Sequence, residues 1–339
     1  MTSLVSTVLN DREGLKLFFQ QMEKQTRYPK EIVIVDGGSS DGSWELMQTY
    51  AEQGTIPLRC YQDVGCNVAR GRNLAIQYAK HDLIISTDIG CEWDPEWLQE
   101  LVAPLEADSS VDYVVGSWSV KPDSVHTPWA KTELVLRGHV FIATPEANAT
   151  SRSVAYRKQA WENVGGYPED LTLAADDTVF DYLIKKHCIK SAAAPIVRCY
   201  WHRFERLQQY LKEEKRNFFG DGEAMTRNNY FVLVGGRLLL EVLGVASVSL
   251  LLLDTPLSYL TLVGLLFSLI SISHRILKFS PKAQQLAQLG VSFALFHLIA
   301  FHYLAKLWAL WGYVKGYLHG AKHCQDCRRR LHKPLEALL

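Results

Sequence analysis

The stretch "EIVIVDGGSSDGSWELMQTYA", residues 31–51, reads as strand, turn and helix in immediate succession. Ile32–Val35 is a short apolar, β-prone run, and Ser43 to Gln53 carries helical spacing. Between them the chain passes through Asp36, two glycines, two serines and Asp41. Two readings of this turn stand side by side. Small residues let a ligand approach the backbone, and an aspartate accepts hydrogen bonds from a nucleobase N–H or a ribose hydroxyl. Equally, a polar turn of this kind caps the following helix through its Ser or Asp. Neither a G-x-G-x-x-G pattern nor a Gly-Lys-Ser/Thr ending is present, so dinucleotide-binding and P-loop readings are excluded.

The same alternation extends outward. Leu4 to Leu9 reads as a strand, followed by a helix with Leu15, Phe18, Phe19 and Met22 on one face. "PLRCYQ" is a third short strand, Asn67 to Lys80 a helix, and Asp82–Asp88 another buried strand. Val111 to Val120 is a further strand candidate; Asn148–Leu171 reads as a turn, short strand, helix and Gly-Gly turn. "AADDTVFDYLIKKH" and "LQQYLKEEKRNFFGDGEA" are helices. Strands alternating with helices predict a parallel sheet, with the functional loops at the carboxyl ends of its strands. Asp36 and Asp88 both fall at such ends.

After Asn229 the composition shifts. Val242–Leu253 and Thr255–Ser273 are uncharged, and a third apolar run spans about Leu289 to Tyr317, broken by Lys306 and Lys315. Trp308, Trp311, Tyr313 and Tyr317 suit a membrane interface. Arg237 and Glu241 sit one helical turn apart, positioned to pair. Membrane insertion is expected over a buried helical subdomain. Arg275, Lys278 and Lys282 predict a cytoplasmic loop after the second run. Three full spans would place the basic tail, with Arg328–Arg330, outside; a hairpin plus an interfacial third helix suits the charges better. The expected division is 1–228, 229–320 and 321–339.

Thirty-six basic and 36 acidic residues give zero formal charge, which argues against a nucleic-acid partner held by bulk electrostatics. The N-terminus has no basic region followed by an apolar one, so no cleaved signal peptide is expected. Seven cysteines without a framework spacing suggest a reducing compartment, placing the N-terminal part in the cytoplasm. Cys324 and Cys327, near His323 and His332, make one C-x-x-C, short of the four ligands of a structural zinc site. A solvated basic tail is the expectation there.

Three acidic sites stand out. Asp36 ends one strand, and Asp88 ends another that is buried and apolar, a costly place for a carboxylate unless something binds it. Asp176 and Asp177 open a helix, where they either complement its dipole or include a general base. Asp94, followed by Pro95, reads as a helix N-cap. In order along the chain, "VSTVLNDREGL", "QTRYPKEIVIVDGGSSDGS", "ARGRNLAI", "STDIGC", "SRSVAYRKQAWENVGGYPEDL" and "DDTVF" resemble the motifs of the family 2 glycosyltransferases. The resemblance covers roughly residues 3–225.

That resemblance implies an α/β GT-A fold, a Rossmann-like, mostly parallel sheet, followed here by membrane helices. It implies inverting transfer from a nucleotide-diphosphate sugar to a lipid-linked or saccharide acceptor beside membrane lipid. Thr7 and Leu9 would line the nucleotide pocket, Asp36 would accept from the base, and Arg72 would lie near the diphosphate. Asp88 would touch the ribose or a metal-bound water; Asp177 would be the catalytic base, oriented by Asp176. Gly90 stands where the family places the second DxD aspartate, which puts a Mg2+ or Mn2+ requirement in doubt. Asp88 and His202 are the candidate metal ligands, although the aromatic and basic neighbours of His202 also suit a structural role. Arg72, Arg203 and Arg216 are candidates to share the diphosphate charge. Arg216 falls near the place of the processive enzymes' Gln-x-x-Arg-Trp motif, which reads "EEKRN" here, so processive synthesis is not expected. The same fold acting on a polyprenyl phosphate, and a non-catalytic nucleotide-sugar sensor, are the competing readings.

Overall fold

The computed structural model describes residues 1–121, 124–246 and 258–333. Most of the apolar run expected at Val242–Leu253, the start of that at Thr255 and the end of the tail fall outside these residues. The chain forms two compact units, 1–124 with 139–203 and 319–339, and 125–138 with 204–318. The expected linear division into 1–228, 229–320 and 321–339 has other bounds than these units.

In the first unit the strands are β1 (Thr2–Val8), β2 (Glu31–Asp36), β3 (Leu58–Gln62), β4 (Leu83–Ser86), β5 (Cys91–Trp93) and β6 (Tyr113–Gly116). They continue with β7 (Trp118–Val120), β8 (Val140–Phe141), β9 (Val154–Arg157), β10 (Ser191–Ala194) and β11 (Cys199–Trp201). Among the described residues one sheet has the order β10-β6-β9-β4-β1-β2-β3, with only β9 antiparallel to its neighbours. A smaller sheet has the order β5-β11-β7-β8.

The helices of this unit are α1 (Arg12–Met22), α2 (Ser43–Gln53), α3 (Val68–Tyr78), α4 (Trp97–Ala107), α6 (Lys158–Asn163), α7 (Asp176–Lys186) and α12 (Gln325–His332). α1 starts where Asp11 accepts from the Gly14 N–H at 3.0 Å, and it buries Leu15, Phe18, Phe19 and Met22 as spaced in the sequence. Phe18 meets Trp93 edge-on at 5.4 Å, joining α1 to the smaller sheet's β5.

Register places the site. Thr7 pairs with Val35 and Val8 with Asp36, while Val5 pairs with Ser86. The carboxyl ends of β1, β2 and β4 therefore lie side by side, and the loops holding Leu9, Gly37 and Asp88 leave the sheet together. α3 approaches β1 closely because residue 71 is glycine: a Cβ there would sit 2.8 Å from Thr7 Cγ2.

Several expectations need correction. The strand expected over Val111–Val120 is two strands in different sheets. At Gly116 a Cβ would stand 2.0 Å from Ser153 Oγ, so β6 packs tightly on β9 and the chain then leaves for the second sheet. Asp94 is not a helix cap; α4 begins at Trp97, and Asp94 accepts from the Tyr200 hydroxyl at 3.0 Å. The described part of the tail, though largely exposed, is anchored to the fold rather than free. Cys324 and Cys327 are buried, the Asp170 carboxylate accepts from the Cys327 N–H at 3.0 Å, and Arg330 donates to the Val164 and Gly166 carbonyls at 2.6 Å each.

The second unit contains α5 (Pro128–Arg137), α8 (Leu207–Ala224), α9 (Asn228–Ala246), α10 (Ser258–Gln288) and α11 (Ala294–His323, to residue 318). Within α10 and α11, Leu262–Gln288 and Ala294–His323 are long and apolar enough to cross a membrane. The basic loop expected around Arg275, Lys278 and Lys282 is instead continuous α10. Arg275 is buried and donates to the Glu241 carboxylate at 2.5 Å, and Lys282 donates to the Leu136 carbonyl of α5 at 2.7 Å. Arg237 and Glu241 do pair, at 3.2 Å.

Candidate active site

Asp36 is wholly buried, and its two oxygens receive four donors from its own surroundings. These are the Gly38 N–H at 3.2 Å, the Ser39 N–H at 3.0 Å, the Ser39 hydroxyl, and Gln62 Nε2 at 2.8 Å. A carboxylate has about four lone-pair sites, so its accepting capacity is used. Asp36, expected to accept from a base, here holds its own loop in place. Asp41 does the same a few residues on, accepting from the Arg12 N–H at 2.9 Å and the Ser43 hydroxyl at 2.6 Å. The turn's aspartates thus hold a loop of bare backbone in place. Beside it stand two exposed aliphatics. A Cβ at Gly37 would meet Leu9 Cδ1 at 3.6 Å, and one at Gly38 would meet Val64 Cγ1 at 3.0 Å. Leu9 and Val64 are 58% and 77% exposed, leaving an apolar lip around a glycine floor.

Arg72, expected near the diphosphate, is not a surface residue. It is buried, stacks over Tyr167 at 5.6 Å, and bridges Asp88 Oδ1, at 2.5 Å, to Asp176 Oδ2. One guanidinium thus ties the end of β4 to the start of α7. Burial pushes the Asp176 carboxyl up; Arg72 opposes that, while Asp177 and Asp88 add to it.

Asp177 is half-buried and forms no ion pair among the described residues. It accepts from the Thr178 N–H at 2.7 Å and the Ser151 N–H at 3.3 Å. One turn on, Asp181 accepts from the Ala149 N–H at 3.1 Å and pairs with Lys185 at 2.8 Å. Residues 149 and 151 are therefore laced onto one face of α7 by carboxylates four apart. Ala175, just before α7, has φ 72°, a conformation uncommon outside glycine, and it sets the angle at which the two aspartates enter the helix. The sequence signal for this lacing was the Asp177–Asp181 spacing; Ala175 gave none.

Gly90 has φ +95°, where an L side chain is strained, so the local backbone suits glycine rather than the family's aspartate. His202, a candidate metal ligand, has its Nε2 on Glu92, whose other oxygen takes Lys121 Nζ at 2.5 Å. Partial burial works against the Glu92 charge, but the Lys121 and His202 hydrogen bonds outweigh it and hold the carboxyl below its usual value. Among the described residues, no set of three metal-ligating side chains includes Asp88 or His202. Asp88 alone, 40% exposed at its side chain and with one oxygen outside the Arg72 bond, fits a hard cation that takes its other oxygens from a diphosphate and water. Arg216 is exposed on α8 of the second unit.

The site thus sets Asp88, at the end of β4, beside the Asp176–Asp177 pair that opens α7, on a largely parallel α/β sheet. Residues 3–165 match the model of Glycosyl transferase family 2. Over 134 residues the chain is 32% identical to the undecaprenyl-phosphate 4-deoxy-4-formamido-L-arabinose transferase of Pseudomonas savastanoi pv. phaseolicola, covering 38% of each chain. It is 27% identical over 92 residues to the chondroitin synthase of Pasteurella multocida, 26% of this chain and 9% of that one. The chain thus spans well under half the length of these relatives. The fold is similar to that of the mannosyltransferase PcManGT from Pyrobaculum calidifontis, solved with GDP-Man and Mn2+. The TM-score is 0.52 at 19% identity, covering 96% of this chain and 87% of that one.

Proposed function

We propose that the chain is an inverting glycosyltransferase that moves a sugar from a nucleotide-diphosphate donor to a hydroxyl of a lipid-linked or saccharide acceptor. The observation that carries this is Asp177, held by the Ser151 N–H and outside any ion pair among the described residues, next to the Arg72-bound Asp176. Asp177 takes the acceptor's hydroxyl proton as that oxygen bonds to the anomeric carbon. The bond from that carbon to the diphosphate breaks on the opposite face, and the nucleoside diphosphate leaves with the electron pair. Arg72 and Asp176 fix the start of α7 so that the base faces a set point. The nucleobase lies against Leu9 and Val64 over the glycine floor, with Thr7 behind it. Asp88 would hold a Mg2+ or Mn2+ ion, which neutralises charge on the leaving diphosphate when bound. The membrane-length helices α10 and α11 support action at a bilayer.

The undecaprenyl-phosphate relative favours a second reading, transfer to a polyprenyl phosphate. That acceptor is already anionic, and Asp177 has no proton to remove. The test is nucleoside diphosphate release by the purified full chain across a donor panel, with and without Asp177→Asn. Loss of turnover by about 10²–10⁴-fold, with donor binding retained, supports the base role. Equal loss of donor binding overturns it. A glycosyl phosphate product formed at wild-type rate by Asp177→Asn selects the second reading, and no release from any donor leaves a sensor.

A further inference from the structure

None of these roles uses Arg152, a cation of the first unit. Arg152 lies in the loop before β9, and its guanidinium stacks 3.5 Å from the Trp201 ring centre and 4.9 Å from that of Trp118. Both tryptophans belong to the smaller sheet, on β11 and β7. No carboxylate pairs with Arg152 among the described residues, unlike Arg72, whose charge is spent on Asp88 and Asp176. Its backbone sits at the centre of the site. The Arg152 carbonyl accepts from the Thr87 hydroxyl at 2.7 Å, one residue before Asp88. The preceding N–H, of Ser151, is the one that Asp177 accepts. Ser151 is 1% exposed and, among the described residues, its hydroxyl has no hydrogen-bond partner; neither has that of Thr150. A desolvated donor left open costs free energy unless a ligand completes it. An arginine pre-stacked on indole rings, uncompensated and flanked by open hydroxyls, is arranged for a planar, bidentate grip on phosphate oxygens.

Resting on the transferase reading, we propose that Arg152, with the Thr150 and Ser151 hydroxyls, binds a phosphoryl group of the reactants between Asp88 and Asp177. The group belongs either to the donor's diphosphate or to a phosphate on the acceptor lipid. In the first case Arg152 takes the compensating charge that the missing second DxD carboxylate and its ion would otherwise bring. In the second it holds the acceptor in line with the anomeric carbon.

The experiment compares wild type with Arg152→Gln, which keeps length and planarity but not charge, and with Arg152→Lys. Thermal unfolding checks that each variant is folded, and Arg152→Lys serves where Arg152→Gln is not. One arm measures calorimetric binding of uridine and guanosine diphosphates without metal; the other measures KM for undecaprenyl phosphate in vesicles and for a neutral saccharide acceptor. A tenfold or greater loss of diphosphate affinity assigns the donor's phosphates. Unchanged diphosphate affinity with a tenfold rise in KM for undecaprenyl phosphate alone assigns the acceptor's. Arg152→Lys should lose less than Arg152→Gln in whichever arm responds. A wild type that binds and releases nucleoside diphosphate, beside folded variants within twofold of it in both arms, overturns the assignment of Arg152 alone. A wild type that neither binds nor releases one removes the transferase reading and this inference with it.

Discussion

Replacing Arg72 with methionine removes the guanidinium that joins α3, β4 and α7 while keeping most of the side-chain volume. Two carboxylates lose their partner, but not equally. The Asp88 side chain is 40% exposed and is rehydrated, so its share is about 0–1 kcal/mol. The Asp176 side chain is 10% exposed, and breaking a buried pair from one side costs about 3–5 kcal/mol. Burial already raises the Asp176 carboxyl, and losing Arg72 raises it further, which puts the loss at the lower end of that range, about 3 kcal/mol. At ~2–4 °C per kcal/mol, the full-length protein should melt roughly 6–12 °C lower. The pH dependence has a definite sign. A carboxyl raised in the folded state costs stability above its folded pKa, and that cost disappears as pH falls below its unfolded value. The gap between wild type and Arg72→Met should therefore narrow on acidification. Arg72→Met with Asp176→Asn should recover about 0.5–3 kcal/mol relative to the sum of the single changes. Thermal unfolding followed by near-UV circular dichroism reads all of this. A single-variant shift under about 2 °C, or strictly additive changes, would mean that the bridge does not hold the site together.

Other outcomes follow from the same geometry. Gly71→Ala places a Cβ 2.8 Å from Thr7 Cγ2 and should cost about 1–3 kcal/mol, seen as a lower Tm with reduced diphosphate affinity. Gly90→Ala, at φ +95°, should cost about 1–2 kcal/mol. Gly90→Asp should not tighten Mn2+ binding in a titration beyond wild type, because that backbone must first relax. Arg330→Ala removes two charged hydrogen bonds to carbonyls of the Gly165–Gly166 turn and should lower the Tm by an amount equal to about 1–3 kcal/mol. Glu92, held below its ordinary value by Lys121 and His202, contributes stability above that value and loses it as pH falls through the lower folded one. Glu92→Gln should accordingly flatten the acid limb of a Tm–pH curve.

The first sheet was legible because local signals and tertiary structure agree. α2 runs from Ser43 to Gln53 as read, and the α1 face is the spaced set Leu15, Phe18, Phe19 and Met22. The smaller sheet was not, since its strands have two or three residues each and no period that such lengths can display. The site was legible as a list of residues more than as a set of roles. Asp36 and Arg72 carry polar groups whose partners, Gln62, Asp88 and Asp176, are fixed only by folding, so spacing could not reveal that their capacity is spent. Asp177 lies at the start of α7, where the sequence put a helix opening, and accepts from the Thr178 and Ser151 N–H groups. The tail was misread for a related reason: "CQDCRRR" has the composition of a solvated segment, yet Cys327 and Arg330 find Asp170 and two carbonyls far back in the chain.

That return of the chain has a topological consequence. α12 lies in the same compact unit as β1, and Lys186 of α7 donates to the Lys333 carbonyl at 2.6 Å. Whatever crosses a bilayer between Arg203 and His319 must therefore cross it an even number of times. An odd count would strand the last helix on the wrong leaflet from the fold it closes.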